Sequence, residues 1–203
     1  MANPLEDLDR YLLITADSHA GPTPEGYGPY LEKKWQSDYQ DWLGWSVENA
    51  KVMKQVMGTR SIGVDGDPDV VGYRNWDSKR RLEETEADGV VAEVIFSNTS
   101  PPFAPTMHSE FGEAEVGVDL ERRWAGIKAH NRWLADYCAE APYRRAGICQ
   151  IFLPFVEESV KEIRWAKEAG LIGGVLLPGA APGSGVEPLY SPAYEPIFAV
   201  CEE

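Results

Sequence analysis

Apolar runs of strand length alternate with segments of helical periodicity along this chain, and glycine or proline punctuates the junctions. A repeated order of strand then helix needs crossover connections, which build a parallel sheet covered by helices rather than a set of hairpins. Four strands are predicted, at about Tyr11 to Ala16, Val90 to Phe96, Arg145 to Leu153 and Gly174 to Pro178. Crossovers of this kind keep one hand, so the strands are expected in sequential order within one sheet.

The helices between them carry recognisable starts and stops. Asp77 is placed to cap a helix running through Arg81, Leu82 and Thr85, which Gly89 ends by taking the left-handed conformation open to glycine. Leu120, Trp124, Ile127, Leu134 and Cys138 recur at helical spacing before Pro142, and Val156, Val160 and Ile163 mark a helix that stops at Gly170. Ser191 as N-cap and Pro192 at the first helical position open a last helix, with Tyr194, Ile197, Phe198 and Cys201 on one face. Two connections are longer than a connector requires. Residues 21–75 begin with Gly21, Pro22, Pro24, Gly26, Gly28 and Pro29 and read as a helical insertion, Trp35 to Met57, with a mobile Gly- and Asp-rich tip. The stretch from Ser97 to Asp119, with Pro101, Pro102 and Pro105, is expected to cover something.

Charge narrows the partners. Nineteen basic against thirty-three acidic side chains give a net charge of −14, which disfavours nucleic acid and anionic membranes and leaves small molecules. No stretch has the apolar length of a bilayer span, and the start lacks a secretory pattern, so a cytoplasmic location is expected. Cys138, Cys149 and Cys201 lack paired spacing and read as reduced, mostly buried residues.

The chemistry concentrates at the end of the first strand, in Ile14-Thr15-Ala16-Asp17-Ser18-His19. On a strand, positions i and i+2 share a face, so Asp17 and His19 are expected to project together. A carboxylate and an imidazole so placed begin a chelate for zinc or manganese, although an Asp-x-His is equally a strand running into a polar turn. Asn98, just past the second strand, stands where a barrel places a substrate-facing group or where a turn takes an asparagine. His108 belongs to the long second loop, as an acid or base on a lid or as a solvated residue. Glu93 interrupts an apolar strand and either faces a barrel interior or pairs outward with a helix residue. His130 and Asn131 are explained by packing, with hydrogen-bond partners required for Asn131 if it is buried. Gln150, Pro154 and Pro178 shape strand ends. Gly183-Ser184-Gly185 fits neither a dinucleotide fingerprint nor a nucleophile elbow, and Gly63 to Gly66 lacks the lysine and serine of a phosphate loop.

Four landmarks in order carry a resemblance: Ile14-Thr15-Ala16-Asp17-Ser18-His19; Arg81-Leu82 through Asp88-Gly89-Val90-Val91-Ala92-Glu93-Val94; Asn131-Arg132-Trp133-Leu134; and Pro188-Leu189-Tyr190-Ser191-Pro192-Ala193-Tyr194-Glu195-Pro196. In these the chain resembles the amidohydrolase-related family of metal-dependent hydrolases and decarboxylases, the group that includes aminocarboxymuconate-semialdehyde decarboxylase. The resemblance implies a (β/α)8 barrel with its site at the C-terminal ends of the strands. It implies that Asp17 and His19 occupy the first-strand metal motif, where the family often has His-x-His. Further ligands then come from later strands, typically a His after the fifth and an Asp after the eighth. The metal so implied is zinc, with manganese as the alternative, and the substrate a small carboxylated or cyclic molecule.

Four strand–helix units are half of such a barrel. The 203 residues are therefore expected to form the N-terminal part of one domain, with 21–75 inserted after the first strand. Open edges at the first and fourth strands would favour homo-oligomers or pairing with a C-terminal half. With only two ligands present, the isolated chain should bind a divalent metal weakly or not at all. The alternative is a non-catalytic half-barrel that serves as a subunit or interaction module.

Overall fold

The computed structural model describes residues 12–57, 76–97, 101–103, 119–178 and 186–203. Its strands β1 (Leu13–Ala20), β2 (Val90–Ser97), β3 (Arg145–Gln150) and β4 (Gly174–Leu176) form one sheet in the order β1-β2-β3-β4, parallel at every pairing. The helices are α1 (Gln36–Met57), α2 (Ser78–Ala87), α3 (Leu120–Ala139), α4 (Val156–Glu168) and α5 (Glu195–Glu202), with 3-10 turns at Pro24–Tyr30, Lys33–Trp35 and Pro192–Tyr194. Strand, helix and order agree with the sequence reading. Among the described residues no helix is long and apolar enough to cross a membrane.

Local signals set the helix ends. The Asp77 carboxylate accepts from the Arg80 amide at 3.1 Å, and Gly89 closes α2 with φ +78. The position of α2 is set from below by Arg145, 2% exposed, which lies 4.0 Å over the Tyr137 ring and donates to the Ser78 hydroxyl and carbonyl. At the other end of the sheet α3 is buried on most sides. Gly126 lets it approach the chain beyond β2, since a Cβ there would stand 1.9 Å from the Pro102 carbonyl oxygen.

Several boundaries differ from expectation. β1 does not stop at Ala16 but runs to Ala20, because its pairing with β2 continues to Ala20↔Ser97. β3 ends at Gln150 instead of Leu153. The Asn131 side chain takes both the amide and the carbonyl of Gln150, and the Ser159 hydroxyl takes those of Phe152, so the backbone turns away from the sheet. β4 closes at Leu176 rather than Pro178. In α5 the buried positions are Ile197 and Val200, following Tyr194, whereas Phe198 and Cys201 are exposed, so Cys201 is not the buried residue expected.

The main core joins Ile95 and Cys149 of the sheet to Leu134 and Cys138 of α3, Ile163 of α4 and Ile197 of α5. Outside it, apolar side chains face solvent at both sheet edges. Leu12, Leu13 and Ile14 are exposed at β1, and Ile172 and Leu177 flank β4. Among the described residues these two strands each have one neighbour only.

Candidate functional site

The pairing of β1 with β2 is interrupted twice, between Leu13 and Ile14 and across Ala16 and Asp17. Thr15 stands opposite Glu93 and Ser18 opposite Ile95, three steps on β1 against two on β2, which is a bulge of one residue. A bulge bends its strand and re-aims the side chains beyond it. Past this one, Ser18 and Ala20 turn inward while Asp17 and His19 turn outward, with side chains 88% and 47% exposed. The expected shared face is present: His19 Nε2 lies 3.4 Å from Asp17 Oδ1.

The imidazole is oriented by β2. Its Nδ1 lies 2.8 Å from the Ser97 carbonyl oxygen, which can only accept, so Nδ1 carries a hydrogen and Nε2 is the nitrogen that faces Asp17. The Phe96 ring, 5.7 Å away, packs beside it. The backbone is held too, since Arg81 Nη1 donates to the His19 carbonyl at 2.9 Å. Arg81 also donates through Nε and Nη2 to Glu93 Oε2, at 2.9 and 2.6 Å, and Glu93 is 3% exposed. Glu93 therefore pairs outward with α2.

The donor chemistry fits a divalent ion. Two ligands at about 2.1 Å from one tetrahedral ion stand about 3.4 Å apart, the separation of this nitrogen and oxygen. The set is incomplete, because no group of three or more His, Cys, Asp or Glu side chains gathers among the described residues.

The other sequence candidates separate from this pair. Asn98 and His108 lie outside the described residues, as do residues 58–75. Asn131 is fully buried and satisfied by Gln150 and by Glu162 Oε1 at 2.9 Å, and Glu162 is held in turn by Arg132. His130 is also fully buried, 3.1 Å from the Tyr27 hydroxyl, and burial lowers its pKa to about 4. Pro178 is buried and Pro154 half-buried, as loop-shaping residues are. Sequence reasoning assigned no role to Arg81. The available signal was a carboxylate inside an apolar strand, which needs a cation from a neighbouring helix.

No family model matches this chain, and no curated protein matches it. Solved structures do. The 5-carboxyvanillate decarboxylase of Novosphingobium aromaticivorans DSM 12444, in complex with manganese and 4-hydroxy-3-methoxy-5-nitrobenzoic acid, is similar at 18% identity and TM-score 0.54, over 94% of this chain and 47% of that one. A mutant of that enzyme gives the same figures. The 2,6-dihydroxybenzoate decarboxylase from Rhizobium aligns at 23% identity and TM-score 0.46, over 71% of this chain and 42% of that one. This chain thus spans about half the length of the solved chains it matches. The likeness shows the fold: a parallel α/β unit that corresponds to about half of a (β/α)8-barrel chain.

Proposed function

We propose that residues 1–203 form the N-terminal part of a metal-dependent enzyme domain, with 21–75 inserted after β1, whose reaction is decarboxylation of a small aromatic carboxylate. Hydrolysis by the same metal motif is the other chemistry the sequence resemblance allows. The observation that carries the reading is the convergence of Asp17 and His19, with the imidazole proton kept on Nδ1 by the Ser97 carbonyl. Decarboxylation is preferred because the similar solved chain at TM-score 0.54 is a decarboxylase that binds manganese and a nitrobenzoic acid. Manganese is therefore the first metal to test and zinc the second.

In this reading His19 Nε2 and the Asp17 carboxylate hold the ion, and Asn98 contacts substrate. The bound ion supplies electrostatic stabilisation to the substrate carboxylate and its neighbouring oxygen. Ser97 keeps the His19 lone pair on the ligating nitrogen. The remaining ligands and the proton donor to carbon come from strands beyond β4, either in a longer chain or in a complementary half. The proposed setting is cytoplasmic, as an oligomer or paired half-barrel.

Equilibrium dialysis of the 203-residue chain against Mn2+ tests the site. Weak binding that is lost in Asp17→Ala and His19→Ala is expected, whereas binding unchanged in both variants would refute it. A non-catalytic half-barrel is the second reading, favoured by the open strand edges and by exposed Leu12, Leu13 and Ile14. Carbon dioxide release from hydroxybenzoates by a complete barrel, absent in His19→Ala, separates the two.

A further inference from the structure

We propose that Arg81 is a positioning residue for the β1 metal motif, fixing the direction of His19 through its backbone carbonyl while buried Glu93 anchors the guanidinium. The proposal rests on the reading of Asp17 and His19 as ligands.

The need for an anchor comes from the bulge. Regular pairing would set the direction of every β1 side chain, but the extra residue at Ala16 and Asp17 interrupts the ladder, which resumes only over Ser18↔Ile95, His19↔Phe96 and Ala20↔Ser97. So short a resumed ladder leaves the strand end to be fixed further by contacts outside it. Two groups make them. The Ser97 carbonyl holds the ring, and Arg81 holds the peptide unit that carries it.

The geometry of Arg81 divides its donors between two jobs. One edge of the plane, Nε and Nη2, is spent on Glu93 Oε2, which leaves Nη1 for the His19 carbonyl. The guanidinium is rigid and planar, so placing one edge places the third nitrogen. A lysine has no such fork; it can neutralise Glu93 or reach His19, and not do both in one fixed geometry. Stability alone does not account for this arrangement. The side chains are 15% and 3% exposed, and a desolvated ion pair of this sort is commonly matched by apolar residues of the same volume. What the apolar substitutes lack is the bond from α2 to the end of β1.

The test uses the 203-residue chain with Arg81→Lys and the double variant Arg81→Met/Glu93→Met, which removes both buried charges together. The first readout is the imidazole 15N spectrum of His19 at a pH where the ring is neutral. The wild type should report hydrogen on Nδ1, and both variants should move towards a mixture of the two tautomers while circular dichroism shows the fold retained. The second readout is Mn2+ affinity by equilibrium dialysis, expected to fall by about 10- to 100-fold, as for loss of groups that orient metal ligands. Folded variants whose His19 tautomer stays as in the wild type would overturn the proposal. Loss of fold in both variants would overturn it as well, since the pair would then be a stability element. A wild type that binds no Mn2+ would defeat the metal reading instead, and the tautomer shift would still decide the role of Arg81.

Discussion

The ends of β1 and β3 lie on the same rim of one parallel sheet and are held in opposite ways. At β3 the Asn131 amide saturates the backbone of Gln150, Ser159 does the same for Phe152, and Asn131 and Ser159 are fully buried. At β1 the backbone is also secured from a distance, by Arg81, but the side chains of Asp17 and His19 stand out of the core with their donor atoms facing each other. Polar residues spent on backbone atoms build the scaffold. Those whose own backbone is held by others are left free for chemistry, and the difference is visible only in which atoms are used.

The largest effect should come from breaking the buried end. Asn131→Ala removes partners from the Gln150 amide and carbonyl and from Glu162, and should cost about 3–4 kcal/mol in urea unfolding, because buried polar groups left unpaired are expensive. A loss under about 1 kcal/mol would show that water replaces the side chain and that β3 is not clamped.

Acid should act on the neighbouring residue almost as strongly. His130 has its pKa lowered from 6.5 to about 4 by complete burial, so the fold favours the neutral ring. Its contribution is fully present above pH 6.5 and is lost as the unfolded chain takes up a proton the folded chain refuses, about 3 kcal/mol by the time the pH reaches 4. Across that interval, stability measured by urea unfolding should fall by this amount more in the wild type than in His130→Phe. Equal falls would mean that the Tyr27 contact, which ties the segment after β1 to α3, is protonated without penalty.

The exposed end should respond in the reverse sense. His19→Ala gives up the part-buried bond to Ser97 and should lower stability by about 1 kcal/mol while removing metal affinity. Asp17→Ala, with its side chain 88% exposed, should change stability by no more than about 0.5 kcal/mol and still weaken metal binding. A destabilisation from Asp17→Ala as large as that from Asn131→Ala would erase the distinction between the two ends.

Much of this was legible in the chain itself. Strand–helix order, the Asp77 cap, the Gly89 and Gly170 stops and the Asp-x-His pair are local patterns, fixed by side-chain period and by backbone conformations that few residues adopt. The early end of β3 was not legible, because Asn131 and Gln150 are 19 residues apart and nothing in the run Ile151 to Leu153 announces that the backbone of Phe152 is claimed by Ser159.

The sequence by itself determined an α/β chain of parallel strands with a carboxylate and an imidazole at the end of the first. Tertiary structure alone decided that β1 continues through a bulge, that Glu93 turns to α2, and that His19 is held by Ser97 and Arg81, 78 and 62 residues away in the chain. The physical reason is that periodicity records which face a residue occupies within its own element. Which atom waits on that face depends on how the other elements pack.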